Sequence, residues 1–253
     1  MSHYNVGVLL DINEIGNGSL DFSESMIEDK LNHVLNKYDE NISIDEIGEY
    51  LDFNDETDRL LEYMKENKVD SFEEAAKEYG LAVKDFDGEK RAGFITNRIS
   101  KYDYFLIGGR WNNTLKLKDG TTTNFALLKD IDFEKNINKA NYAERFWNLY
   151  IEKDPDELTE EEKEMLKFTF YSREYFVEKY KTKENYIDCY STFSTYAIVD
   201  TDGEWYEPGE MGWFGMSSAS GDDEIEFKKN YYDKFIKNKD FENILFVMVD
   251  CHI

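Results

Sequence analysis

The two ends of the chain carry its most continuous apolar stretches. Residues 4–11, YNVGVLLD, place apolar side chains in both alternating sets of positions, which is typical of a strand covered on both faces. The last residues, NILFVMVDCHI, have the same character and predict a second strand of this kind. We expect the two strands to be antiparallel neighbours in one sheet, which would bring His3 close to His252.

Between residues 20 and 98 the apolar positions follow a helical period instead. The first stripe begins near Ser23 or Ser25, and its members are Ile27, Leu31, Val34 and Tyr38. Further helical stretches are indicated over 44–51, 60–64 and 71–80. Residues 20–98 are therefore predicted to form an acidic, helical insertion.

Short turn and cap signals divide the rest of the chain. Asp119-Gly120 and Asp202-Gly203 each separate two strand-like stretches and predict hairpin turns. Helices are indicated at about 138–152, 158–182 and 224–238. Thr159 with Glu162 forms a capping box at the start of the second of these helices, as Ser71 with Glu74 does in the insertion.

Strands at both ends, hairpins between them and intervening helices define an α+β fold. We expect one core domain made of residues 1–19 and 99–253, interrupted by the helical acidic insertion over 20–98. The sheet of the core is expected to be antiparallel, ferredoxin-like or related, with the N- and C-terminal strands paired.

The chain is strongly acidic, with 55 acidic and 30 basic residues and a formal net charge of −25. Such a charge repels nucleic acid and anionic membranes, so we expect no direct binding to either. It attracts basic surfaces, including the nucleic-acid grooves of other proteins. The alternative interpretation of the acidity is solubility alone.

The two cysteines, Cys189 and Cys251, are too few for a secreted disulfide scaffold. The N-terminus has no basic segment before its apolar stretch, and no stretch approaches the roughly 18 apolar residues of a membrane span. A cytoplasmic location is expected. Spacings such as CxxC and HExxH are lacking, so neither a metal site nor another cofactor is expected.

The stretch YDYFLIGGRWNN, residues 102–113, places unusual chemistry after a predicted strand. Gly108 and Gly109 allow a tight turn or the close approach of a ligand. Arg110 offers a rigid set of donors for carboxylate or phosphate, and Trp111 offers a stacking face. Either this turn binds an anion or a nucleotide, or it is a sheet corner whose tryptophan fills the core.

Aromatic side chains and glycines alternate in a second stretch, DGEWYEPGEMGWFGMSS, which follows neither a helical nor a strand period. It contains Trp205 and Trp213, and Ser217 lies just before a predicted helix start. Such loops are either packed plugs or binding loops, and both interpretations stay open.

The tail Asp250-Cys251-His252 is the third candidate. On a strand, Asp250 and His252 point to one face and Cys251 to the other. Asp250 could then orient the His252 imidazole as a base, which makes the two residues catalytic candidates. Cys251 would face the core, which argues against a Cys-His nucleophile pair.

These three stretches, YDYFLIGGRWNN, DGEWYEPGEMGWFGMSS and VMVDCHI, resemble three blocks of a family of proteins encoded by bacteriophages and prophages. The blocks of that family resemble WDWY-x-IGGRW, GEW-x-x-x-G-x-MGWFG and a terminal VDCHI. Tyr102 and Tyr104 stand here where tryptophans are common in the family. The resemblance implies a phage or mobile-element origin, and it implies that the three blocks converge in space.

Two functional hypotheses follow. The first is a phage-encoded acidic interaction protein in the host cytoplasm that binds and inhibits a host protein with a basic surface, such as a defence or nucleic-acid-handling component. The second is binding or hydrolysis of a nucleotide-like small molecule. The site for that molecule would combine the turn at 108–111 with Trp205, Trp213, Ser217 and the terminal Asp-Cys-His.

Overall fold

The structure is a computed structural model that describes residues 2–15, 23–42, 50–212 and 215–253. The chain divides into two compact units, the first made of residues 1–32 and 104–253 and the second of residues 33–103. The second unit thus contains most of the insertion that the sequence predicts over 20–98.

The elements of both units are numbered together along the chain. In the described ranges the strands are β1 (His3–Asp11), β2 (Leu51–Asp55), β3 (Ala82–Phe86), β4 (Glu89–Asn97), β5 (Tyr104–Ile107), β6 (Leu115–Lys116), β7 (Thr122–Thr123), β8 (Phe125–Leu127), β9 (Ala197–Val199), β10 (Trp205–Tyr206) and β11 (Ile244–His252). The helices of these ranges are α1 (Glu24–Leu35), α2 (Thr57–Asn67), α3 (Phe72–Tyr79), α4 (Ile137–Trp147), α5 (Glu160–Leu166), α6 (Arg173–Tyr180), α7 (Lys183–Ser191) and α8 (Gly221–Tyr231). Single π-helical turns extend α4 over Asn148–Glu152 and α8 over Tyr232–Ile236.

The first unit is organised around a sheet with the strand order β10-β9-β1-β11-β5, and β8 also pairs with β11. β1 and β11 are antiparallel and are paired without interruption from His3–His252 to Asp11–Ile244. β9 lies parallel to β1 on its other side. Every residue of β11 is buried, as the apolar character of both its faces predicts. The α+β class and the pairing of the terminal strands are confirmed.

One face of this sheet packs against α8 and its π-helical extension. Leu9 and Phe246 belong to a buried cluster that also contains Tyr231. Gly7 makes the close packing possible, because a Cβ at this position would overlap the Phe246 ring. The Tyr231 hydroxyl lies 2.6 Å from Oγ1 of Thr195, and burial raises the pKa of this tyrosine.

The two Asp-Gly turns and the capping box at Thr159 are confirmed. Gly120 and Gly203 have φ angles of 86° and 79° in the turns of the β6–β7 and β9–β10 hairpins. The Thr159 hydroxyl accepts from the backbone N–H of Glu162, whose carboxylate in turn accepts from the Thr159 N–H. In the second unit the Ser71 side chain caps α3 by accepting from the Glu74 N–H, which is one half of the predicted capping box.

The single helix predicted over 158–182 is wrong, because residues 167–172 interrupt it between α5 and α6. This segment, KFTFYS, contains aromatic and β-branched residues that lose side-chain freedom in a helix. Ser172 then starts α6 by accepting a hydrogen bond from the Tyr175 N–H.

The second unit is not purely helical, so that part of the prediction is also wrong. It contains a three-stranded antiparallel sheet in the order β2-β4-β3 beside α2 and α3. Its small core consists of Leu60, Ala75, Ala76, Leu81 and Ala92. Leu51, expected in a helix, starts β2, and residues 44–49 of that expected helix lie outside the described part of the chain.

Each helix in the described ranges is too short or too polar to cross a membrane.

We predict that Gly7→Ala lowers the free energy of unfolding by about 1–3 kcal/mol, because the added methyl group overpacks the space filled by the Phe246 ring. Denaturant unfolding of the two proteins measures this difference.

The double variant Gly7→Ala/Phe246→Leu tests the cause. Leucine lacks the ring atoms that the new methyl group would overlap. The loss of stability in the double variant should therefore be smaller, by at least about 0.5 kcal/mol, than the sum of the losses in the two single variants. Simple additivity of the two losses would contradict this account of Gly7.

Candidate functional site

The GGRW turn, residues 108–111, follows β5 directly and is held against β11. Gly108 and Gly109 have φ angles of 73° and 49°, a region that favours glycine. The Gly108 N–H donates to the Met248 carbonyl at 2.8 Å, and the Trp111 N–H donates back to the Gly108 carbonyl at 2.8 Å. The turn is therefore a well-defined extension of the sheet.

Asp250 is the anchor of this turn. Its side chain is only 2% exposed, and Oδ2 accepts the backbone N–H of Arg110 at 2.8 Å. A Cβ on Gly109 would overlap the carboxylate, so this second glycine is needed for the close approach. The GGRW turn and the terminal block of the sequence thus meet, as the resemblance implies.

His3 is a second hydrogen-bond partner of the Asp250 carboxylate. Its Nδ1 lies 2.9 Å from Oδ1, a distance that fits an Nδ1–H donated to the carboxylate. The His252 ring lies 4.7 Å from the His3 ring and stacks on Tyr104 at 4.5 Å. The expected proximity of His3 and His252 is confirmed.

The catalytic interpretation of Asp250 and His252 changes in this geometry. The imidazole that the carboxylate holds is that of His3, whereas His252 contributes its stacked ring. An imidazole oriented by a carboxylate can accept a proton, but here the two side chains are only 11% and 2% exposed. The pair mainly compensates a buried charge and fixes the GGRW turn.

Cys251 points to the opposite face, as the alternation along β11 predicts. It is fully buried, and burial together with the neighbouring Asp250 charge raises the pKa of its thiol well above the ordinary value. A neutral, enclosed thiol does not serve as a nucleophile.

The outer part of the GGRW turn faces away from this anchor. The Arg110 side chain is exposed, and within the described ranges no hydrogen bond or ion pair holds its guanidinium. Trp111 is partly buried against the main core of the first unit. The tryptophan thus packs against the core, as the corner interpretation predicts, and binding by the exposed arginine stays a prediction.

In its described residues, the aromatic loop places Trp205 and Ser217 away from the Asp250 carboxylate. Trp205 pairs with Val199 in the sheet, and its ring packs near Tyr4, on the face opposite to Asp250. Ser217 lies near the same ring system, with Oγ 2.6 Å from the Tyr196 hydroxyl. Trp213 lies outside the described residues.

A cleft of about 650 Å³ opens on the same sheet face as Asp250. Its floor contains Asn5 and Met248, and Trp111 of the GGRW turn lines one wall. The remaining walls come from Thr114 and Lys116, from Asp132 and residues 134–139, and from residues 191–194. The size is within the range of small-molecule sites, about 300–1,000 Å³.

A second surface of the first unit combines exposed aromatic rings with acidic residues, and we call it the acidic–aromatic surface. Its aromatic part is the segment between α5 and α6, where Phe168 is 75% and Phe170 89% exposed and Tyr171 is also exposed. Its acidic part is the preceding stretch 152–164, which has eight acidic and two basic residues. Isolated exposed apolar residues are common in proteins, but two nearly bare phenylalanines so close together are not.

The acidic part of this surface is an ordered helix start. The Glu162 carboxylate is bound by Lys153 at 2.7 Å and by the Thr159 N–H, and these hydrogen bonds lower its pKa to about 2. Tyr150 donates from its hydroxyl to the Tyr171 carbonyl at 2.7 Å, which attaches the aromatic segment to the end of α4.

Sequence reasoning missed His3 as a partner of Asp250, and it missed the acidic–aromatic surface. The predicted pairing of β1 with β11 places His3 and Asp250 two positions apart on one face, so the first contact could have been found. The surface depends on the helix break at 167–172, and the dense aromatic run FTFY was its only signal. The cleft depends on segments distant in sequence and had no local signal.

No family model, curated protein or solved structure matches this chain. In the described ranges, no three His, Cys, Asp or Glu side chains are grouped so that they could hold a metal ion.

We predict that Asp250→Ala lowers the free energy of unfolding by roughly 1–3 kcal/mol, because it leaves the partly buried Arg110 N–H without its acceptor. The same variant should speed amide hydrogen exchange at Arg110, which reports release of the turn.

Two matched variants test the Asp250 carboxylate and the Arg110 guanidinium one at a time. Asp250→Asn keeps an acceptor for the Arg110 N–H and should lose less stability than Asp250→Ala. Arg110→Ala removes only an exposed side chain and should stay within about 0.5 kcal/mol of the parent protein. A larger loss in Arg110→Ala than in Asp250→Ala would contradict the anchor role of Asp250.

Proposed function

We propose that this protein binds another protein through the acidic–aromatic surface and that the partner presents a basic surface. The observation that carries this proposal is the exposure of Phe168 and Phe170, at 75% and 89%, directly after a strongly acidic stretch. The acidic helix and the aromatic segment are adjacent in sequence, so one partner can contact both.

The aromatic rings would supply the binding energy. Exposed phenylalanine and tyrosine side chains lose unfavourable contact with water when a partner covers them, and aromatic residues are enriched in the centres of protein interfaces. Tyr171 is stacked on Tyr175 at 4.2 Å, so part of this surface is already ordered before binding.

The acidic stretch would supply orientation and speed. Charged residues around an apolar contact steer a basic partner toward it and repel acidic ones. Several of these carboxylates are also paired locally, such as Glu160 with Lys163 at 2.8 Å and Glu164 with Lys167 at 2.9 Å. Such exposed pairs are weak, so a partner's basic side chains can replace them at little cost.

The resemblance to phage-encoded blocks makes a host protein the proposed partner. A basic groove that ordinarily binds nucleic acid has the charge that this surface attracts. By covering such a groove, the protein would inhibit the host factor by competition and would need no catalytic residue.

We predict that Phe168→Ala/Phe170→Ala abolishes capture of the partner from host extract, whereas the stability of the chain stays within about 0.5 kcal/mol because both rings are exposed. Affinity purification with quantitative mass spectrometry measures the capture. Phe94→Ala, which removes an exposed ring from the second unit, is the matched control and should leave capture unchanged.

Charge reversal tests the acidic part separately. Glu160→Lys/Glu161→Lys should weaken capture at least tenfold and reduce its salt dependence. Glu28→Lys/Asp29→Lys makes the same change of charge on α1 and should have a much smaller effect. Equal losses in both charge variants would show that only the net charge matters, and capture that survives the phenylalanine variant would refute the proposed surface.

A further inference from the structure

The residues that line the cleft beside Trp111 are less acidic than the chain as a whole. Three lysines and two acidic residues line it, whereas the chain as a whole has 55 acidic and 30 basic residues. With Asp188, which pairs with Lys135, the cleft is close to neutral, so it repels an anion less than the rest of this acidic surface does.

Two of these lysines are fixed by ion pairs. The Lys116 ammonium lies 2.5 Å from the Asp132 carboxylate, and Lys135 lies 2.6 Å from Asp188. Lys139 has no ion-pair partner in the part of the chain that the structure describes. The charged side chains of the lining that remain for a ligand are therefore Lys139 and Glu134, and Lys139 is the one that can bind an anion.

The other groups of the cleft suit a flat, polar molecule. Trp111 provides an aromatic wall that the core holds in place, since the indole packs against the main buried cluster. Hydroxyl and amide side chains complete the lining, among them Thr192, Ser194 and Asn138. These groups can bind the edges of a base or the hydroxyls of a sugar.

We propose that this cleft binds a nucleoside monophosphate or a molecule of the same chemistry. The base would stack on Trp111, and the phosphate would bind the Lys139 ammonium. Stacking on an aromatic side chain tolerates any base, so we expect affinity for the class with little discrimination among bases. This proposal is independent of the acidic–aromatic surface and adds a ligand to a protein that is proposed above to bind a partner.

The anchor of the GGRW turn gives this proposal its structural basis. Asp250 and the two glycines hold the turn against β11, and this fixes the position from which Trp111 enters the cleft wall. A rigid aromatic wall binds a flat ligand without an additional ordering cost.

Isothermal titration calorimetry with adenosine monophosphate, at low salt, tests the site. We expect saturable binding of one molecule per chain, and binding of adenosine that is at least tenfold weaker because it lacks the phosphate. Uridine monophosphate should bind within about tenfold of adenosine monophosphate. No saturable heat with either nucleotide up to about 5 mM, a concentration above a millimolar Kd, would overturn the proposal.

Matched variants place the ligand in the cleft. Lys139→Glu should weaken adenosine monophosphate at least tenfold and remove its advantage over adenosine. Lys77→Glu makes the same change of charge on α3 and should leave both affinities unchanged. Equal effects of the two lysine variants would overturn the assignment of the phosphate to Lys139.

A variant of the stacking wall completes the test. Trp111→Leu should weaken both ligands, whereas Trp111→Phe should retain most of the affinity because it keeps an aromatic face. Thermal unfolding of each variant shows that the chain is folded. Full binding by a folded Trp111→Leu protein would overturn the assignment of the base to Trp111.

Discussion

The antiparallel pairing of β1 with β11 is the constraint on which the first unit depends. Its register, from His3–His252 to Asp11–Ile244, decides which side chains of the two ends share a face. A slip by one residue would turn Asp250 and His252 to the other face and bring Cys251 to the GGRW turn. The register is strongly specified because all of β11 is buried, so such a slip would place an acidic and a basic side chain in an apolar environment.

The pairing of β1 with β11 places the Asp250 carboxylate in a buried position. A buried charge persists only where donors surround it, and here the donors are a backbone N–H of the GGRW turn and the His3 ring. Gly109 is part of the same solution, because any side chain would displace the carboxylate. The Asp250 carboxylate and its histidine partner, which resemble a catalytic pair, thus hold the GGRW turn in place. The side chains that remain for binding are those that the turn presents outward.

The elements that were predicted correctly are ones that residues close together in the sequence specify. The strands at the ends, the Asp-Gly turns and the capping box at Thr159 depend on neighbouring residues, and they were found from the sequence. β2 depends on pairing with β4, in which Asn97 lies 46 positions after Leu51, and the alternation of LDFND covers too few residues to outweigh the helical spacing before it. The β3–β4 hairpin did have a local signal that was missed, because Asp87-Gly88 forms its turn. The face of Trp205 depends on the register of a two-residue strand, so no local pattern could place it relative to Asp250.

The two proposed binding surfaces lie toward opposite ends of α4. The N-terminal Ile137 and Asn138 line the cleft, whereas Phe146 and Trp147 near the C-terminus pack in the aromatic cluster with Tyr150 that supports residues 167–177. A helix of this length separates its ends by about 15 Å, so the contact residues of the two surfaces do not overlap. The chain can therefore be strongly acidic where a basic partner is proposed to bind and retain lysines where an anion is proposed to enter. Binding at each surface is thus proposed to depend on the charge of the residues at that surface, and not on the net charge of the whole chain.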